Sequence, residues 1–525
     1  MNFGELALMK ENQNSVVQLD GDSLTQEDVF RVVSDKSVRV SISKKAVNSV
    51  VACRNFLEKN LDSQIIYGVN TGFGPMASHI IGKNQLLELQ ENLVRSHAVG
   101  MGQPIKSQYV LASMIVRLNT LVKGHSGISL ELAERIMTFI NRRIIPVVPE
   151  HGAVGTSGDL VQLAHIALAL IGEGEVFFNN QKQTAAKVFK ELNIPPYVLK
   201  PKEGLSLING TAVMTGVSTL LLSEAENIIR LAVLTGAFSI ECVNSFDDCI
   251  SKKINEVRPH DGQRKVAEQL RSILSSSKLL RRRSVLSENY AVTEVLREIP
   301  EMVQDVYSIR CIPQILGPIL ETIDRAKKVI RVEMNSVTDN PVIDYESGLF
   351  LHGGNFHGEA VATVVDQLKM VLVKLTMLSE RRIAFFLNHR TNGKFPPFLN
   401  LNIPGLTLGL QGLQFVATST TARSQTLAFP QSIHSISTNA DNQDVVSMGT
   451  DAALIAATVI EHAYVVLAIE MVTLSQAADC AKIKDKLSKE TLALYKKTRE
   501  HVAKIESDRS IAKNLDSLLQ SIKLL

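Results

Sequence analysis

Apolar residues recur at three- and four-residue intervals along most of this chain, the period of helices with one buried face. The pattern predicts helices over 44–60, 84–97, 107–121, 131–143 and 160–174, the last of them opening LVQLAHIALAL. From residue 206 onward the predicted helices lengthen, over about 206–245, 260–275, 313–334, 358–388, 408–427 and 446–482. Several of these are apolar nearly all round, as helices buried in a large bundle or a subunit interface are. Residues 38–43 (VRVSIS) alternate and predict a short strand. Thr25 and Asp28 form a T-x-x-D helix start, and 177–199 reads as a hairpin followed by a short helix. The charged stretch 485–525 predicts a peripheral helix pair. Clusters of Gly, Pro and Asn at 65–75, 339–357, 388–405 and 429–444 mark loops. The class is mainly α.

Composition narrows the setting. With 45% apolar and 21% charged residues and a net charge of +3, the chain reads as an ordinary globular protein. That balance points to neither nucleic acid nor a membrane as partner. The basic cluster Lys278, Arg281, Arg282 and Arg283 reads as a solvated helix end or loop. Glu224, Glu226, Arg230, Glu241, Glu461 and Glu470 interrupt the most apolar segments, which argues against transmembrane helices. Five dispersed cysteines without a CxxC pair indicate reduced thiols in a cytoplasmic protein. No cleavable apolar core follows Met1, so no signal peptide is expected. The 12 histidines show no HExxH spacing, and no metal site is expected.

The candidate chemistry centres on His151-Gly152-Ala153-Val154-Gly155-Thr156-Ser157-Gly158-Asp159-Leu160, a glycine-rich turn at the mouth of a helix. It is not a hydrolase elbow, because Asp159 stands where G-x-S-x-G needs glycine. No G-K-[ST] closes it as a phosphate loop. One reading is a helix cap, with Ser157 or Asp159 accepting amide hydrogen bonds. The other is cyclisation. Attack of the unhindered Gly158 nitrogen on the Thr156 carbonyl carbon closes a five-membered ring. Loss of water from the ring and from Ser157 then leaves an exocyclic methylidene, an electrophile built from protein atoms.

That turn resembles the prosthetic triplet of the aromatic amino-acid ammonia-lyases and 2,3-aminomutases, which matures to 4-methylidene-imidazol-5-one (MIO). The likeness spans roughly residues 20–510. It recurs in order at Tyr67-Gly68-Val69-Asn70-Thr71-Gly72-Phe73-Gly74, at Glu203-Gly204-Leu205 with Ile208-Asn209-Gly210-Thr211, and at Tyr307-Ser308-Ile309-Arg310-Cys311 with Pro313-Gln314. Asp339-Asn340-Pro341, Gly353-Gly354-Asn355-Phe356-His357-Gly358 and Asn442-Gln443-Asp444 complete it.

The resemblance implies a flexible tail over 1–20, a smaller α+β N-terminal domain over 21–205 and a long-helix bundle with C-terminal helices over 206–525. The N-terminal domain would carry the prosthetic-group loop and the catalytic tyrosine. The resemblance also implies a homotetramer and no external cofactor, the MIO forming from Thr156, Ser157 and Gly158. The implied activity is elimination of ammonia from an aromatic L-amino acid, with 2,3-aminomutase as the rival within the fold. A non-catalytic paralogue with a structural or binding role is the rival outside it.

By resemblance Tyr67 is the base that removes the β-proton, and Asn209 touches the prosthetic group and substrate. Arg310 can grip the substrate carboxylate bidentately. Gln304, Tyr307 and Arg310 follow at steps of three, so one helical face would carry them. Phe356 and Gln443 line the pocket. Ser96-His97 occupies the substrate-reading position and suits an imidazole or a phenol. The runs 395–399 and 414–422 look closer to a bacterial tyrosine branch. Two positions depart from the family pattern: Thr156 stands where alanine is usual, and Arg423 where glutamate is usual. A guanidinium cannot act as a base, so Arg423 argues against histidine and for a phenolic or acidic substituent.

Overall fold

The computed structural model describes residues 15–290, 296 and 298–523. Helix makes up 59% of it and strand 8%, a mainly α fold. Helix ends fall where the sequence signals them. Thr25 accepts the Asp28 amide while the Asp28 carboxylate accepts the Thr25 amide, a closed capping box. Ser43, Ser129, Thr184 and Ser488 cap their helices through their hydroxyls. The helices Lys44–Asn60, Leu86–His97, Ser107–Val122 and Leu130–Arg142 follow the apolar period. So do Ile312–Glu333, Glu359–Leu387, Gln411–Thr426 and Gly449–Cys480. The last is long and apolar enough to cross a membrane, but most of its apolar stretch is buried inside the protein.

Three expectations change. The helix expected over 206–245 is two, Glu203–Ile208 and Ala212–Val243, broken at Asn209-Gly210-Thr211. Gly210 has φ +138°, outside helical space, and its peptide bonds elsewhere. The helix from Leu160 ends at Leu170, because Gly172 turns left-handed at φ +96°. Of the expected tail, residues 1–14 lie outside the described residues, and Val16–Leu19 is a strand pairing in parallel with Arg39–Ile42.

The chain divides into two compact units. The first comprises residues up to 223 together with 326–366 and 430–454, so the division is not a single break near 205. Segments from later in the chain pack with the N-terminal residues because the loops around 340 and 440 return to them. All strands among the described residues lie in this unit, as four small sheets. One of its cores buries Cys53, Leu57, Ile66, Val69 and Ile343, flanked by Phe56, Leu61, Tyr345 and Phe350.

The second unit comprises 224–325, 367–429 and 455–525. It is helical, and Arg382 and Glu470 form a completely buried ion pair in it. In the expected solvated basic cluster, Lys278 and Arg282 are exposed, and Arg281 and Arg283 are half-buried. The Arg281 and Arg283 guanidiniums stack on Phe246 at 4.2 and 4.5 Å and pair with Glu301 and Asp248.

Candidate active site

The triplet docks onto the broken helix within the first unit. Gly155 and Gly158 face one another across a tight turn, with Ser157 at φ +52° and Gly158 at φ +81°. The Gly210 amide donates to the Ser157 carbonyl at 3.0 Å, and the Asp159 amide donates to the Gly210 carbonyl at 2.8 Å. Asn209 Nδ2 reaches the Ser157 carbonyl at 3.5 Å, and Gln443 Nε2 reaches Ser157 Oγ at 3.4 Å. A Cβ on Gly158 would collide with the Gly210 carbonyl, and one on Gly155 with Ser447 Oγ. Asn209 Oδ1 and Ser447 Oγ are buried without a hydrogen-bond partner among the described residues.

Two buried charges hold the break from either side. Asp159 sits at the N-terminus of the Leu160–Leu170 helix but does not cap it with its side chain. Its carboxylate accepts the amides of Val213 at 2.7 Å and Met214 at 3.0 Å, in the first turn of the next helix, and the Thr450 hydroxyl. The capping anticipated at this turn thus occurs, but on the Ala212–Val243 helix. Burial pushes the Asp159 carboxyl up to about 6, against the pull of those hydrogen bonds and of Arg117. Arg117 donates to the carbonyls of Ser206 and Asn209, at the end of the Glu203–Ile208 helix, where a cation is favoured. Burial lowers its guanidinium to about 10, opposed by Asp339 and Asp159. Arg117 was not singled out by motif. Its signal was being the only charge in the 16-residue helix Ser107–Val122.

Tyr67 lies on a turn anchored at both sides by buried Ile66 and Val69. Asn70 Oδ1 accepts the Ile66 amide at 2.7 Å, and Thr71 Oγ1 the Gly68 amide at 3.0 Å. The Gly74 amide donates to Tyr67 Oη at 2.9 Å, and the Phe73 ring stands edge-on to the phenol ring at 6.3 Å. A Cβ on Gly74 would meet Asn439, on the loop that also carries Gln443. The Phe356 loop approaches the same region, since a Cβ on Gly358 would meet Met214 and stand 3.2 Å from Ser447 Oγ. Phe356 itself is half-buried.

Ser96 and His97 end the Leu86–His97 helix and bond within it. Ser96 Oγ donates to the Leu93 carbonyl at 3.0 Å, and His97 Nδ1 lies 2.9 Å from the same oxygen. A carbonyl only accepts, so Nδ1 carries the hydrogen, and Nε2 of the neutral ring is an acceptor.

The remaining expected residues lie in the second unit. Gln304 precedes the four-residue helix Tyr307–Arg310 instead of sharing a face with it. The three residues still converge. Arg310 Nη1 donates to Gln304 Oε1 at 2.6 Å, and the guanidinium lies 4.6 Å from the Tyr307 ring centre. Arg423 is exposed on the Gln411–Thr426 helix, next to Ser424, whose hydroxyl lies 2.8 Å from His462 Nδ1. Burial first, and then the Arg423 charge, lower the His462 imidazole below its ordinary value.

A family model described as aromatic amino acid lyase matches residues 24–500. The chain belongs to the aromatic amino acid lyase family. As an aromatic amino acid lyase it acts on a carbon–nitrogen bond, so the non-catalytic reading falls. A histidine ammonia-lyase of Geobacillus thermodenitrificans is 39% identical over 504 residues, 96% of each chain. One from Staphylococcus aureus is 38% identical over 508 residues, 96% of this chain and 97% of the other. Among solved structures, a tyrosine aminomutase from Streptomyces globisporus superposes with a TM-score of 0.93 at 34% identity, covering 97% of both chains. Histidine ammonia-lyase from Trypanosoma cruzi gives 0.86 at 33% identity, covering 97% of this chain and 93% of the other. The sequence relatives carry the histidine name, whereas the runs 395–399 and 414–422 had pointed to tyrosine.

Proposed function

We propose that this protein eliminates ammonia from an aromatic L-amino acid to give an arylacrylate, and that the substrate is L-histidine, which yields urocanate. The observation that carries the reading is the docking of Thr156-Ser157-Gly158 onto the Asn209-Gly210 break, with Ser157 and Asp159 both bonded to Gly210. The crowding at Gly155 and Gly158 and the unpartnered Asn209 Oδ1 and Ser447 Oγ support maturation of the triplet to MIO there. MIO supplies an electrophile that makes the substrate amine a better leaving group.

The remaining steps fall to the chain's own side chains. Tyr67 takes the β-proton, its oxygen steadied by the Gly74 amide. Arg310, oriented by Gln304 and Tyr307, binds the carboxylate. Asn209 and Gln443 flank the triplet, and Phe356 packs against the substrate ring. His97 Nε2 accepts the imidazole N–H. A homotetramer fits the exposed apolar side chains of Met101, Leu406 and Phe415. Five free cysteines suit the cytoplasm.

Arg423 favours a second reading, a lyase or 2,3-aminomutase acting on tyrosine, in keeping with the superposition on a tyrosine aminomutase. Purified protein incubated separately with L-histidine, L-tyrosine and L-phenylalanine, with acrylate and β-amino acid both quantified, separates these readings. Urocanate from L-histidine as the fastest product is expected. β-Tyrosine or coumarate as the main product would replace it with the second reading. Arg423→Glu is expected to raise turnover of L-histidine, and a fall would count for tyrosine.

A further inference from the structure

We infer that Gln90, given the lyase reading above, is a positioning residue whose side-chain amide fixes the Tyr67 turn against the helix that leads to Asn209. Gln90 is completely buried in the Leu86–His97 helix. Its Nε2 donates to the Gly68 carbonyl at 3.1 Å, and its Oε1 accepts the Leu205 amide at 3.1 Å. The partners force this orientation. A flipped amide would set oxygen against a carbonyl and NH2 against an amide N–H. Gly68 follows the proposed base directly, and Leu205 is four residues before Asn209.

The three segments touch with no slack. A Cβ on Gly68 would stand 2.6 Å from Leu205 Cδ2, and one on Gly204 would stand 2.6 Å from the Gln90 carbonyl oxygen. Gln90 lies two helical turns before His97 on the same helix. One neutral side chain therefore ties together the proposed base, the helix that presents Asn209 and the helix that ends in the substrate-reading pair. A full charge at this depth would need a counter-charge, whereas an amide satisfies one donor and one acceptor without one. Proton abstraction depends steeply on the distance between base and β-carbon, and a displacement of about 1 Å costs about 10²-fold in rate.

The test uses full-length protein carrying Gln90→Met, which keeps the length of the side chain but removes both bonds. Gln90→Leu, a second apolar side chain, also removes both bonds and separates their loss from any effect particular to methionine. Steady-state kinetics are measured with ordinary and β-deuterated substrate, together with intact mass and amide hydrogen exchange over 66–74. Both variants should retain the two-water mass loss. Their kcat should fall by about 10- to 100-fold with KM little changed, and the deuterium isotope effect should rise as proton removal becomes limiting. Exchange over 66–74 should accelerate while other segments keep the wild-type rate. A purely structural role lowers the active fraction, which cancels in an isotope-effect ratio. An unchanged isotope effect with unchanged exchange would overturn the positioning role. Wild-type protein inert towards all three amino acids would sink the lyase reading instead, and the exchange comparison would then decide the Gln90 bridge alone.

Discussion

Gly158 packs its α-carbon directly against the carbonyl of Gly210, so closely that no side chain fits between them. The contact brings a half-buried turn and a helix break, 52 residues apart from 158 to 210, into one backbone bridge. Gly158→Ala must therefore pry the turn from the break. It is expected to leave the unmodified mass in intact-mass spectra, with no acrylate formed. Ser157→Ala should give the same two results while keeping the wild-type melting temperature to within a few degrees, because among the described residues the serine Oγ makes only the 3.4 Å contact with Gln443. Full activity of either variant would remove the triplet from the mechanism.

Asp159 makes stability depend on pH in a defined direction. The folded carboxyl holds its proton up to about 6, whereas its ordinary value is 3.8. Between those values the folded state binds more protons than the unfolded one, so this residue's contribution falls as pH rises from about 4 to 6. The loss amounts to about 3 kcal/mol at 1.36 kcal/mol per pH unit. The non-titrating Asp159→Asn lacks this term. Wild-type protein should lead the variant by more at pH 4 than at pH 7 in paired denaturation curves. An equal gap at both values would contradict the assignment.

His97 offers an unfilled acceptor at Nε2 because Nδ1 is committed to Leu93. His97→Leu removes that acceptor and should lower kcat/KM for L-histidine and L-tyrosine by about tenfold or more relative to L-phenylalanine, which has no ring donor to lose. Competition between the three amino acids in one reaction measures the ratio directly.

In the second unit, Arg382 and Glu470 have no exposed side-chain surface, and Thr235 adds a 3.0 Å bond to Glu470. Arg382→Met would strand the carboxylate and is expected to cost about 3–5 kcal/mol. Adding Glu470→Leu should recover most of that loss, because an apolar pair needs no counter-charge. Urea midpoints of the single and double variants provide the measurement.

Most helices, their caps and the loops between them could be read from the chain, because a 3.6-residue period and a Thr25–Asp28 cap act over a few residues. The same local reading identified Thr156-Ser157-Gly158 as a turn able to cyclise, and motif order tied it to Tyr67, Asn209 and Arg310. What local pattern could not supply was partnership at a distance. The stretch 206–245 reads as one helix because its residues are good helix formers. It breaks at 209–211 because Gly210 gives its peptide to Ser157 and Asp159. Asp159 reads as the cap of the helix that follows it, yet its carboxylate binds the first turn of another. Gln304 matched a helical spacing and lies outside the helix, meeting Arg310 through a side-chain bond. Gln90 and Arg117 carried no motif at all. Their importance comes from being polar groups in a dry interior, where each must find a partner, and only the folded chain decides which partner is within reach.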